Sequence, residues 1–158
     1  MRISIVLLIV LSVGQVSGTA AGQTPAASSQ ERQEILAYQL TLPRANHLIT
    51  AMQAMTQYLV SLPDFQDRVV KSMKMTPAER RAQLEKDPKA MVILNQNGLT
   101  AQEYLVGVPA LRMALMVAQG AASNANVIAS PANAAFAKAH LAELKPKMDA
   151  ADGLVSPK

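Results

Sequence analysis

Apolar residues return along the middle of this chain at the spacing of a helix rather than of a strand. Ala45, Leu48, Met52, Met55, Leu59 and Leu62 advance by three or four positions each time, which lines them along one side of a helix from about Pro43 to Ser61. Thr41 stands where its hydroxyl caps that helix, Pro43 suits the first turn, and Pro63 ends it. Phe65, Val69, Val70 and Met73 keep helical spacing and predict a second, short helix between Pro63 and Met75. Thr76-Pro77-Ala78-Glu79 is a capping box that starts another, and Asp87-Pro88 starts the piece after it. That piece closes at Asn97-Gly98, residues that tolerate a left-handed turn.

The sharpest start is Leu99-Thr100-Ala101-Gln102-Glu103-Tyr104. Thr100 and Glu103 form a capping box, with Leu99 and Tyr104 at the positions of a hydrophobic staple. Tyr104, Val108, Leu111, Leu115 and Ala118 make one stripe, while Leu105, Val106, Met113, Met116 and Val117 spread apolar surface round the rest, the mark of a central helix. Arg112 at its middle, with Gly107 and Pro109, argues against a membrane span, and Pro109 is expected to kink it. Ser130-Pro131 opens a last helix through Phe136, Ala137, His140, Leu141, Leu144 and Met148, with Pro146 fraying its end. No strand-like alternation of useful length occurs. The expected fold is all-α: a small antiparallel helical bundle over residues 35–148, of about four helices with a broken connecting one.

The ends read differently. Met1 and Arg2 precede an apolar run, Ile3 to Val13, followed by small residues around Thr19-Ala20-Ala21, the pattern of a cleaved signal peptide over residues 1–21. The run is about eleven residues, well short of the roughly 20 that cross a bilayer, so no transmembrane span is expected in the mature protein. Residues 22–34 lack an apolar period and read as a flexible leader, and 149–158 as a disordered tail. The expected location is therefore periplasmic or secreted.

Composition narrows the chemistry. The chain has no cysteine, which removes a lipoprotein anchor, a disulfide framework, Cys-ligated zinc, iron–sulfur clusters and c-type haem attachment. The net charge of +4 is mild, but Arg68, Lys71, Lys74, Arg80, Arg81, Lys86 and Lys89 crowd one middle segment, answered by Asp67, Glu79, Glu85 and Asp87. That clustering reads first as a solvated helix face and second as a contact for an acidic surface or anionic lipid. Nucleic acid is not expected as a partner, because aromatics are 3% of the chain and none interleave the basic residues.

No nucleophile elbow, phosphate loop, zinc-protease or di-iron motif is present, no cofactor is called for, and the chain reads as non-enzymatic. The one arrangement with ligating chemistry is His47 with His140. If the first and last helices were antiparallel neighbours, both imidazoles would sit near one level and could hold a metal ion or haem, with Met52 and Met148 as further ligands. The plainer reading of His47 is a polar surface residue. Met73-Lys74-Met75 has the spacing of a soft-metal site, but the methionines fit core gaps or an apolar groove better.

Tyr38-Gln39-Leu40-Thr41-Leu42, Asn97-Gly98-Leu99-Thr100-Ala101-Gln102-Glu103-Tyr104 and Pro131-Ala132-Asn133-Ala134-Ala135-Phe136 together resemble a group of small exported bacterial all-α proteins of unassigned activity. The resemblance implies an exported helical domain and assigns no catalytic residue. The expected function is binding, to a protein partner or an apolar ligand.

Overall fold

A computed structural model describes residues 29–121 and 127–153, so residues 1–21, where the sequence pattern predicts a signal peptide, and the end of the chain from 154 lie outside the described residues. Among the described residues there are eight helices and no strand: α1 Ser29–Ala37, α2 Leu42–Val60, α3 Phe65–Met73, α4 Pro77–Glu85, α5 Pro88–Gln96, α6 Ala101–Ala118, α7 Pro131–Ala139 and α8 Leu141–Gly153. The all-α expectation therefore holds, with eight helices in place of about four.

The starts follow the side-chain chemistry. Thr41 accepts from Arg44 N, both capping boxes close, Asp87 accepts from Lys89 N and Ala90 N, and Ser130 accepts from Asn133 N. Gly98, at φ 65°, ends α5 in the left-handed conformation and lets Leu99 N donate to Leu94 O. Pro109 lies inside an unbroken α6 and Pro146 inside an unbroken α8. Pro146 does not fray α8, because it removes one backbone bond early in a helix whose Leu144, Met148 and Ala151 are all buried.

The long helices do not alternate in direction. Leu48 of α2 meets Gly107 of α6, and four residues further Met52 meets Arg112, whose Nη2 lies 3.3 Å from the Met52 sulfur. Arg44, one turn earlier, bears electrostatically on Glu103. Contacts whose numbers rise together mean that α2 and α6 run parallel. The same holds for α8: Lys147 Nζ donates to Asn46 Oδ1 at 2.7 Å, and Arg112 joins Met52 to Asp152. The expected antiparallel bundle is thus replaced by three parallel long helices. Chain-consecutive parallel helices need a return path roughly as long as the helix, about 28 Å for α2 at 1.5 Å per residue. The segment 61–99, carrying α3, α4 and α5, supplies the first return, and the segment 119–140, carrying α7, supplies the second.

α6 lies at the centre. Leu48, Leu94, Leu111 and Leu144, from four different helices, are all fully buried in one cluster with Met52, Met55 and Leu115. A smaller cluster joins Ile35 of α1 to Val106, Ala110 and Met113. That anchor corrects the flexible-leader reading of 22–34 over its described part: α1 begins at Ser29, because Ile35 is 2% exposed, Gln102 donates to Glu34 at 2.5 Å and Arg80 pairs with Glu31 at 2.7 Å. The tail expected from 149 is likewise helical to Gly153. Asn133, 3% exposed, ties α7 to the α1–α2 junction, donating to Tyr38 O at 2.7 Å and accepting from Leu40 N at 3.0 Å.

A Cβ at Gly107 would stand 2.9 Å from Leu48 Cδ2 and from Tyr38 Cζ, inside van der Waals contact. Gly107→Ala gains about 1 kcal/mol of helix propensity but overpacks a site whose neighbours are held, at typically 1–3 kcal/mol. Gly153→Ala meets nothing within 4 Å. Urea unfolding is expected to show a loss of about 1 kcal/mol for Gly107→Ala and none for Gly153→Ala. A Gly107→Ala variant as stable as the parent would contradict the close approach.

Candidate functional site

α3 separates apolar from polar residues more sharply than any other helix described here, yet none of its residues is buried. Phe65, Val69 and Ser72 are half-buried and turn toward the molecule. Val70 and Met73 turn outward, 53% and 51% exposed, and Lys71 and Lys74 are exposed beside them. α3 packs extensively against no other described helix. An amphipathic helix whose apolar side is only half covered by its own protein is a candidate contact surface.

Its attachment is polar. Asp64 precedes α3 but forms no side-chain cap, because its carboxylate is taken by Arg68, whose Nε lies 2.9 Å from both oxygens. This bond holds the Asp64 carboxyl below its ordinary range and the Arg68 guanidinium above its own. Arg68 Nη1 also lies 3.9 Å from Asp87, which brings the start of α5 beside α3. Asp87 is a junction: Tyr58 Oη donates to it at 2.9 Å, the amides of Lys89 and Ala90 donate at 3.1 Å, and Lys89 Nζ sits 4.8 Å from the Tyr58 ring centroid. The Asp87 hydrogen bond is the main reason that the Tyr58 hydroxyl is held above its ordinary pKa. Asp64 and Asp87 are therefore engaged within the protein. The exposed cations on α3 itself are Lys71 and Lys74, and Asp67 is the acidic residue opposing them on the same helix.

The two histidines are on different elements. His47 is exposed on α2, and His140 caps the end of α7 with its ring 4.8 Å from that of Phe136. His140 directly precedes α8, which runs parallel to α2, and Glu143 near the start of α8 bears on both Asn46, beside His47, and His140, so the two histidines stand toward the same end of the molecule. Met52 gives its sulfur to Arg112, and both Met52 and Met148 are buried in the core cluster. Among the described residues no group of three or more His, Cys, Asp or Glu side chains could hold a metal ion. No described helix is long and apolar enough to cross a membrane.

Two further polar groups are perturbed by packing. Burial pushes the Tyr104 hydroxyl up to about 12 against the opposing pull of Arg112. Burial also raises Tyr38, against the pull of the Arg44 guanidinium, which stands 5.8 Å from its ring centroid. Both tyrosines line the α6 contact and read as packing groups. Sequence reasoning found the amphipathic pattern of α3 but not its exposure, and did not single out Asn133 or the Asp87 junction. Nothing about Asn133 or Asp87 as residue types separates an internal tie from an ordinary cap. No protein-family model, curated protein or solved structure matches this chain.

Because the Asp64 pKa is depressed on folding, the Asp64–Arg68 contribution is complete above the ordinary value of 3.8 and is lost as pH falls through the lower, folded value. Acidification is expected to loosen the start of α3 in that window, read from the Arg68 amide and side-chain signals by NMR. Asp64→Asn should remove the pH response. A response that survives unchanged in Asp64→Asn would assign it elsewhere.

Proposed function

We propose that this chain is an exported, non-catalytic helical domain that acts by binding, and that the outward face of α3 is where it binds. The single observation behind this is the half-exposed apolar face of Val70 and Met73 on a helix that buries none of its residues. Removing from water the surface that such residues still expose favours association by about 1 kcal/mol per side chain, half the value for full burial. The long helices bury their stripes in the core without this face, so it is available for a partner or an apolar ligand. The signal-peptide pattern of residues 1–21, the lack of cysteine and the resemblance to small exported bacterial helical proteins support export to the periplasm or beyond. The sequence holds no catalytic motif that would favour an enzyme, and no observation favours a haem or metal site at His47 and His140.

Site-specific photo-crosslinking in the exporting cell tests the reading. A photoreactive residue in place of Val70 is expected to give discrete adducts, and one in place of the exposed Ala142 on α8 is not. Equal adducts at both positions, or none at Val70, would overturn it. The intact mass of the same preparation reads the N-terminus, which should lie close to Ala21.

A further inference from the structure

We infer that α3 seats the protein on an anionic lipid surface; this rests on the binding role given to α3 above. The geometry is that of a helix lying in a membrane interface. Val70 and Met73 present exposed apolar surface, and Lys71 and Lys74 on the same helix are exposed as well. Lysines in that position lay their methylene stems along the acyl boundary and keep their ammonium groups among the headgroups. The Arg68–Asp87 contact fastens the other side of α3 to the α5 start, so the charge beside the strip is that of α3's own lysines.

The acidic residues nearby do not cancel this charge. Asp64 is bound to Arg68, and Asp87 accepts from Tyr58 and from two backbone amides, so each is engaged internally. Asp67 remains on the polar side of α3, opposite the lysines in charge and one turn from Lys71. A lipid surface fits better than a specific protein partner because of what the strip lacks. Protein interfaces are anchored by Trp, Tyr and Arg held in pockets. Here the chain has no Trp, and the exposed residues are a valine and a flexible methionine. The attachment of α3 suits the task as well. Held by ion pairs and a half-buried edge, it can tilt into an interface without opening the core.

The test is flotation of the mature protein, recovered from the exporting cell, with vesicles of phosphatidylcholine alone and of phosphatidylcholine mixed with phosphatidylglycerol. Binding is expected only to the anionic vesicles and should weaken as ionic strength rises. Lys71→Glu/Lys74→Glu is expected to lower the partition coefficient by at least about tenfold. Val70→Asp/Met73→Asp should abolish it. Both pairs are exposed, and far-UV circular dichroism checks that the fold is kept. Binding that both variants leave unchanged, or no difference between the two vesicle types, would overturn the lipid assignment. No vesicle binding together with a protein adduct from Val70 would overturn the lipid surface and keep the binding role. No vesicle binding and no adduct would remove both.

Discussion

The close approach of α6 to α2 at Gly107 governs the rest of this structure. A residue with no side chain lets the fully buried Leu48 and the Tyr38 ring sit directly on the α6 backbone. Tight packing there brings Arg44, Leu48 and Met52 against Glu103, Gly107 and Arg112 in rising order. The two helices consequently run the same way. Parallel neighbours cannot be joined by a tight turn, so the chain must travel back before α6 begins. It does so as three short helices, α4 and α5 each started by a cap and a proline, and none as long as the helices they connect.

That return path divides the molecule into a packed part and an appended one. α2, α5, α6 and α8 contribute the fully buried leucines. α1 and α7 are locked on by Ile35 and by the two hydrogen bonds of Asn133, which satisfy backbone groups that would otherwise be buried without partners. α3 receives neither a buried anchor nor a buried hydrogen-bond tie. It is held through Arg68 to Asp64 and Asp87, where solvent screens the ion pairs and they add little stability. A surface for another molecule is available where the fold itself demands least.

Much of the helix content was legible from local chemistry. Thr76 with Glu79, Thr100 with Glu103, and Asp87 before Pro88 each start a helix at the expected residue, because capping is decided by neighbours in sequence. Direction was not legible. Stripe spacing says which face of a helix is buried and nothing about whether its neighbour runs up or down, so the antiparallel expectation rested on loop length alone. α1 was missed because one well-placed Ile35 and a few polar ties hold a stretch with no apolar period. The α3 face lay in plain view as Phe65, Val69, Val70 and Met73, but whether such a stripe is covered depends on partners far along the chain.

The central claim is that the core is complete without α3, which leaves its outer face free to bind. Native-state hydrogen exchange of the protein measures this directly. Amides in the middle of α6 should exchange only through global unfolding, while those of residues 69–73 should exchange through local opening, at rates that urea barely changes until the whole protein unfolds. If the α3 amides were protected to the same degree as those of α6 and shared their urea dependence, α3 would be part of the cooperative core and the account would be wrong.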